Sequence, residues 1–241
     1  MTSTPVEELA ETLVELADTV AAEFDLDDFL RLLANRCVRL VGADAAGLVL
    51  IDHGGQVQAV GASGERARSL ALCETREEAG PGLDCCRRGK PVVVPDLAAG
   101  ADRWPRYAAE ARAAGFAAVH AMPMRLRAEV IGALTLFRVE PGELEKVDAR
   151  VAQAMADIAT IGIVQARAVR RQEELAAQLQ RALNSRVVIE QAKGVLAERL
   201  GLGMTAAFEA LRNYARSHNA RVSELAVSIV DGQFDTGRLR R

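Results

Sequence analysis

The chain contains no Cys-x-x-Cys pair and no His-x-x-x-His pair, so the residue spacing that marks a zinc site is missing. Its four cysteines are irregularly spaced over 241 residues, which does not make a disulfide framework. No apolar run is long enough to cross a membrane, and residues 1–23 are acidic, unlike the basic start of a secretory signal. These features predict a cytoplasmic protein without a structural metal.

Neither sign of charge dominates the chain, which has 30 Lys and Arg residues against 33 Asp and Glu residues. Residues 184–241 hold 9 basic and 6 acidic residues, a balance of +3, and the other 21 basic and 27 acidic residues give −6. The C-terminal part is therefore mildly basic. This balance excludes a strongly basic, non-specific nucleic-acid binder, but it fits a small phosphate-contacting surface.

No proline interrupts residues 142–183, and apolar residues recur there at heptad spacing. One set is Leu144, Val151 and Ile158, and the companion set is Ala154, Ile161, Ala168, Leu175 and Ala182. This pattern predicts a long connecting helix with a coiled-coil seam, weakened in its middle by Gln165 and Gln172 and continued by Leu179 and then Arg186. We expect residues 151–163 to contact a sheet or a partner helix, and residues 167–183 to form an exposed connector.

Residues 184–241 are predicted to form a small three-helix domain with a short tail. In its first helix, Ile189, Ala192, Leu196 and Leu200 share one face. Gly201 and Gly203 are expected to end this helix. Thr205 is predicted to cap the second helix and Ser223 the third, which Asp231-Gly232 ends.

Two strings in this domain carry a resemblance to a known family. They are Ile-Glu-Gln-Ala-Lys-Gly-Val-Leu at 189–196 and Ala-Phe-Glu-Ala-Leu-Arg at 207–212. With Ala215, Asn219 and Leu225-Ala226, they closely resemble the ANTAR domain of RNA-binding antiterminators over residues 185–231. The resemblance implies a leader RNA with two closely spaced stem-loops, held by a dimer so that a terminator hairpin does not form.

Seven residues of this domain are the candidate RNA contacts. We expect Lys193, Arg212, Arg216 and Arg221 to contact phosphates or bases, Gln191 and Asn219 to read base edges, and Gly194 to permit close approach. A glycine inside a helix destabilises it by about 1 kcal/mol relative to alanine. This cost favours close approach to the backbone as the reason for Gly194. Tyr214 is ambiguous between core packing and base stacking. For each charged residue, the alternative is an ordinary solvated helical face.

The first 160 residues are predicted to form an α+β domain with an N-terminal helix. Their pattern is helices, a hairpin at 45–60, a helical insert, a strand at 90–94, a helix at about 104–114, and a hairpin at 117–139. This order favours a mainly antiparallel sheet with helices on one side. Asp25 is expected to cap the second helix, with Asp28 in its first turn.

Short motifs along this domain look like those of a GAF domain. They include Ala-Gly-Pro-Gly-Leu-Asp-Cys at 79–85, Pro-Asp-Leu at 95–97 and Ile-Gly-Ala-Leu-Thr-Leu-Phe at 131–137. The resemblance covers about residues 20–160. This part of the chain is similar to GAF domains that precede ANTAR domains in actinobacterial regulators. It implies a sensory module with a possible small-molecule signal, but it indicates no particular ligand or cofactor.

Five residues are candidates for a ligand pocket or a redox site in this domain, namely Cys73, Cys85, Cys86, Trp104 and His120. The three cysteines are candidates for a thiol switch, because a thiol pKa would be lowered by the nearby Arg87, Arg88 and a helix N-terminus. Some GAF domains reduce free methionine sulfoxide with three cysteines, but the spacing here does not favour that chemistry. His120 is either an axial haem ligand or a satisfied histidine, and Trp104 is either core or pocket wall.

Together these patterns predict a homodimeric, signal-responsive RNA-binding antiterminator rather than an enzyme. The alternative is a redox or ligand sensor whose helical bundle binds DNA or a protein partner.

Overall fold

The computed structural model describes residues 5–21 and 25–240. Residues 1–4, 22–24 and 241 lie outside this description. Residues 1–4, 22 and 23 belong to the segment predicted not to be a secretory signal. The helices are α1 (Pro5–Ala21), α2 (Leu26–Val41), α3 (Glu65–Glu77), α4 (Pro81–Arg88), α5 (Pro105–Ala113), α6 (Lys146–Leu200), α7 (Met204–Ser217) and α8 (Val222–Val230). The strands are β1 (Ala45–Ile51), β2 (Val57–Ala62), β3 (Val92–Val94), β4 (Ala118–Leu126) and β5 (Glu129–Arg138). A 3-10 helix, Thr236–Arg240, follows α8.

The chain divides into two compact units, residues 1–168 and residues 169–241. The first unit contains one five-stranded sheet in the order β2-β1-β5-β4-β3, and every neighbouring pair is antiparallel. The α+β fold and the mainly antiparallel sheet are thus confirmed. Asp25 caps α2 as predicted, because its side chain accepts a hydrogen bond from the Asp28 backbone N–H at 3.0 Å.

Helices cover both faces of this sheet, so the prediction of helices on one side is wrong. On one face, Leu48 and Leu134 pack with residues of α1, α2 and the first part of α6. On the other face, Val49 and Phe137 pack with residues of α3, α4 and α5. The two faces are both apolar, so β1, β4 and β5 read as continuous apolar runs instead of alternating.

Helix α6 is a single helix of 55 residues, as the proline-free stretch predicted. In the first unit it buries Ala152, Met155, Ala156, Ala159 and Ile163 in the sheet core. Residues 168–184, most of which belong to the predicted connector, are all exposed in the single chain.

The second unit is a bundle formed by the end of α6 with α7 and α8. Its core contains Ala192, Leu196, Leu211, Leu225 and Ile229, so the predicted buried stripe of the first helix is confirmed. Left-handed glycines, with φ of +67° at residue 201 and +72° at residue 232, follow α6 and α8 as expected.

Both predicted N-caps of this bundle are wrong. Helix α7 begins at Met204 after Gly203, so Thr205 lies inside it, and α8 begins at Val222 after Arg221, so Ser223 lies inside it. Neither Gly203 nor Arg221 caps its helix with a side-chain hydrogen bond.

Candidate functional site

Lys193 lies at the edge of the bundle core, and its side chain is only 16% exposed. Its Nζ donates to both carboxylate oxygens of Glu190, at 2.9 and 2.8 Å, and lies 5.7 Å from the ring centroid of Phe208 on α7. The ion pair neutralises much of the charge that Lys193 was predicted to offer to RNA. A phosphate would have to compete with Glu190 for this ammonium group.

Gln191 and Gly194 lie away from Lys193 on the same helix. Two residues turn an α-helix by about 200°, so Gln191 and Lys193 flank the buried stripe on opposite sides. Gln191 and Gly194 are exposed and three residues apart, which places them on one face. A Cβ added at Gly194 would meet no atom within 4 Å, so intramolecular packing among the described residues does not require this glycine.

Helix α7 carries a row of exposed polar residues. Arg212 and Arg216 are exposed and one turn apart, and the spacing continues to Asn219 beyond the end of the helix. Arg216 Nη2 donates to Asn213 Oδ1 at 3.4 Å. Asn219 adopts a left-handed conformation, with φ of +51°, in the turn before α8.

Arg221 is exposed in the same turn, where its Nη1 lies 3.7 Å from Glu224 Oε1. Exposed ion pairs of this kind contribute little to stability, so the guanidinium group remains accessible to another anion. The structure therefore brings Arg212, Arg216 and Asn219 together in one row, and it separates Lys193 from Gln191 and Gly194.

Tyr214 is two residues from both Arg212 and Arg216, so it projects from the other side of α7. The aromatic cluster around it was not predicted, apart from the ambiguity at Tyr214. The Tyr214 and His218 rings stack at 3.9 Å with an angle of 14°, and Phe234 meets Tyr214 edge-on at 5.1 Å. Arg238 Cζ lies 5.8 Å from the Tyr214 centroid. The four-residue spacing of Tyr214 and His218 was visible in the sequence, but the return of residues 234–238 to α7 was not.

The first unit contains a small buried cavity between the sheet and the helices on one of its faces. Its volume is about 10 Å³, room for about one water molecule. Its polar lining comes from Glu74, Tyr107 and Thr135. The Tyr107 hydroxyl is buried and has no hydrogen-bond partner among the described residues, and burial raises its pKa well above the usual value.

Glu74 belongs to α3, and its side chain lies at the N-terminus of α4. Its Oε1 accepts a hydrogen bond from the Gly82 backbone N–H at 3.0 Å. Burial raises the pKa of Glu74 to about 7, opposed by hydrogen bonds from the Gly82 and Leu83 backbones. A Cβ at Gly80 would come within 2.3 Å of the Glu74 side chain and one at Gly82 within 2.6 Å. The Gly-Pro-Gly run therefore leaves room for this buried carboxyl.

Neither Trp104 nor His120 lines this cavity. Trp104 is buried in the core, with the Arg103 guanidinium 4.2 Å from its ring centroid. His120 pairs with Leu136 in the sheet, and its Nε2 donates to the Gly142 carbonyl oxygen at 3.2 Å. Burial lowers the pKa of His120, which keeps its ring neutral. This hydrogen bond fits a satisfied histidine, one of the two roles predicted for it.

The three candidate cysteines are all buried, and none forms a disulfide among the described residues. Burial raises the pKa of Cys73 to about 11 and that of Cys86 to about 12, and it raises the pKa of Cys85 further. Arg87 lowers the pKa of Cys86, but by less than burial raises it. The effect predicted for Arg87 thus has the predicted direction, but burial outweighs it, so the Cys86 thiol is not activated.

Among the described residues, no group of three or more His, Cys, Asp and Glu side chains is placed to hold a metal ion. Within the same residues, every helix is too short or too polar to cross a bilayer.

Sequence comparisons match the two units to two families. The model of the GAF domain matches residues 23–164, and the model of the ANTAR domain matches residues 177–230. No curated protein matches the chain.

Solved structures of other proteins share the fold of the first unit. The GAF domain of a phosphoenolpyruvate-protein phosphotransferase from Acinetobacter is 16% identical, with a TM-score of 0.51, over 71% of this chain and 99% of that one. Free methionine-R-sulfoxide reductase from Neisseria meningitidis, solved with its substrate, is 18% identical, with a TM-score of 0.52, over 70% of this chain and 95% of that one. At these identities the likeness establishes the fold alone.

Proposed function

Because this chain belongs to the GAF domain family and carries an ANTAR domain at residues 177–230, we propose that it is a dimeric transcription antiterminator that binds paired RNA stem-loops in response to a signal. ANTAR is an RNA-binding antitermination domain and GAF is a sensor domain. Their combination makes the chain a signal-responsive regulator. The paired stem-loops, the dimer and the nature of the signal belong to the proposal.

The row of Arg212, Arg216 and Asn219 is the observation that carries the RNA-binding part. All three are exposed on the ANTAR domain, and two of them are cations one turn apart. Guanidinium groups bind phosphate oxygens well, and an asparagine amide can pair with a base edge in an unstacked loop. Gln191 and Gly194 offer a second exposed patch, where nothing in the bundle covers the helix backbone at Gly194.

The heptad positions of α6 support a homodimer. Ile158 and Ile161 are 37% and 44% exposed, and Leu175 and Leu179 are 55% and 57% exposed. These four residues lie on the predicted seam. Val151, which also belongs to the seam, packs partly against the sheet core, but the other α6 residues of that core, such as Met155 and Ala159, lie outside the seam. Apolar residues at heptad spacing bury themselves against an identical helix in a coiled coil, so a second copy of this chain is the proposed partner.

A dimer of this kind presents two ANTAR domains to one RNA. Once one stem-loop is bound, the second binds at a high effective concentration, so affinity for a pair exceeds affinity for one loop without any new contact. Holding both stem-loops keeps their bases from joining a terminator hairpin, and transcription continues.

The GAF unit is the proposed site of the signal. Its cavity beside Glu74 and Tyr107 holds about one water molecule, so a larger ligand must displace the helices that cover it. The first part of α6 packs on the opposite face of the same sheet. A ligand acts on RNA binding only if it prefers one packing of α6 over another.

Fluorescence anisotropy of the full chain with leader RNA from its own genome tests this function. We expect binding to RNA with two stem-loops to be tighter than binding to one stem-loop or to duplex DNA. Alanine at both Arg212 and Arg216 should weaken all RNA binding while the protein remains dimeric. Preference for duplex DNA, or no RNA binding with cell-extract small molecules present, would overturn the proposal.

A further inference from the structure

Residues 231–240 turn back onto α7 after the end of α8. We call them the return segment. Leu239 is buried in the bundle core, and Phe234 packs against that core while partly exposed. The ANTAR match ends at residue 230, so the return segment is an addition to the matched domain.

The return segment and α7 enclose an open groove of about 750 Å³, which we call the return groove. Its α7 side carries Asn213, Tyr214, Ser217 and His218, and its other side carries Asp235 and Arg238. A groove of this volume accommodates a nucleoside.

The wall of the return groove is a stacking platform. Tyr214 and His218 are nearly parallel at 3.9 Å, and His218 is exposed. The His218 ring is held in this orientation because its Nδ1 lies 3.0 Å from the Tyr214 carbonyl oxygen and 2.9 Å from Ser217 Oγ. An exposed aromatic ring, already oriented, is what an unstacked nucleobase needs in order to stack.

The polar groups of the groove match the rest of a nucleotide. Arg238 Cζ lies 5.8 Å from the Tyr214 ring centroid and 5.9 Å from the Phe234 ring centroid. Its guanidinium group is thus a cation near the stacking platform, where it can bind the phosphate. Asn213 can both donate to and accept from a base edge, and the Asp235 carboxylate only accepts. This acceptor can bind an amino or imino N–H group of a base, and it keeps phosphate away from its own end of the groove.

We propose that the return groove binds one unpaired nucleobase with its phosphate, stacked on the free face of the His218 ring, whose other face stacks on Tyr214. The base comes either from a loop of the bound RNA or from a free nucleotide. The first source rests on the proposed RNA-binding function and deepens it, whereas the second is independent of it.

The test compares the full chain with its His218→Ala variant, and exposed His53 on the GAF unit provides the matched control, His53→Ala. With two-stem-loop RNA, we expect His218→Ala to weaken binding about tenfold and His53→Ala to leave it unchanged. Arg238→Ala should also weaken binding. Circular dichroism of each variant should show an unchanged helical bundle.

RNA with one loop base replaced by an abasic sugar identifies the stacked base. At the stacking position, the abasic RNA should weaken wild-type binding about tenfold and should not weaken the His218→Ala protein further. If the wild type binds RNA but His218→Ala binds equally well and no loop position couples to it, an RNA base in the groove is ruled out.

Histidine ring NMR signals separate the free-nucleotide source from a failure of RNA binding. The chain has three histidines, so the His218→Ala spectrum assigns the His218 signals. Saturable shifts of these signals with AMP, GMP, CMP or UMP would support the groove even if the protein bound no RNA. Unchanged His218 signals with all four nucleotides, together with no coupling to RNA, would overturn the proposal.

Discussion

Glu74 is a buried carboxyl whose pKa in the folded protein, about 7, lies above its usual value near 4.5. The folded state therefore keeps a proton that the unfolded state releases between these two values. The stability contributed by this group is fully present below pH 4.5, falls as pH rises to about 7, and stays constant above that. The loss is on the order of 3 kcal/mol, at about 1.4 kcal/mol per pKa unit.

Glu74→Gln should remove this dependence on pH, since an amide does not titrate. The variant should gain stability relative to wild type as pH rises from 5 to 8. Urea unfolding, monitored by Trp104 fluorescence, measures the free energy of unfolding at each pH, because the only tryptophan of the chain is buried in the GAF unit. Glu11→Gln, at an exposed glutamate of α1, is the control. A stability difference that is the same at every pH would contradict the account of Glu74.

Gly194 offers the second test at this scale. Gly194→Ala should stabilise the bundle by up to about 1 kcal/mol, because alanine is the better helix former and its Cβ meets nothing within 4 Å. If RNA approaches the backbone here, the same change should weaken RNA binding about tenfold. Thermal unfolding and anisotropy measure the two effects.

Gly203→Ala is the matched control for that test, because Gly203 also has open space around its Cβ and a negative φ of −72°. It should leave RNA affinity unchanged. Unchanged RNA affinity in Gly194→Ala would show that the glycine does not serve close approach.

Single residues also show where sequence reasoning stops. The neighbours Arg87 and Arg88 suggested an activated thiol at Cys86, but burial depends on packing of distant segments and dominates its pKa. The Gly-Pro-Gly run at 80–82 was visible as a motif. Its reason was not visible, because Glu74 reaches it from another helix.

At the scale of elements, helix α6 has two apolar faces, the heptad seam and the face that packs on the sheet. Its heptad seam and its uninterrupted helix were readable from the sequence, since both depend on local spacing. The face that packs on the sheet uses other positions, such as Met155, Ala159 and Ile163. The coverage of both sheet faces was missed although the continuous apolar runs of β1 and β4 are the pattern of strands buried on both faces.

Two variants on the exposed stretch of α6 test the predicted seam. One changes residues on the seam, and its control changes a residue on the opposite side of the helix. Glutamate at both Leu175 and Leu179 places charges on the seam and should convert the dimer to a monomer of 25.8 kDa. Ala177→Glu lies two residues from each, on the opposite side of the helix, and should stay dimeric. Sedimentation velocity or light scattering gives the masses. A dimer that survives both seam glutamates would show that this seam does not join the copies.

At the scale of the whole molecule, the chain joins a sensor and an RNA-binding domain by one helix. The fold of both units and their families could be predicted, because the motifs at 79–85 and 189–196 are local. The return groove could not be predicted, since it depends on residues 234–238 folding back onto α7. The same holds for the pairing of Lys193 with Glu190, which leaves the row on α7 as the stronger candidate interface.

The most direct test of the central claim is an anisotropy titration of paired and single stem-loops with the wild type and the seam variant. The wild type should bind the paired RNA at least a hundredfold more tightly than one stem-loop. The protein with glutamate at Leu175 and Leu179 should bind one stem-loop as well as wild type does and lose the advantage of the pair. Equal affinity of the wild type for paired and single stem-loops would contradict a dimer that reads two loops at once.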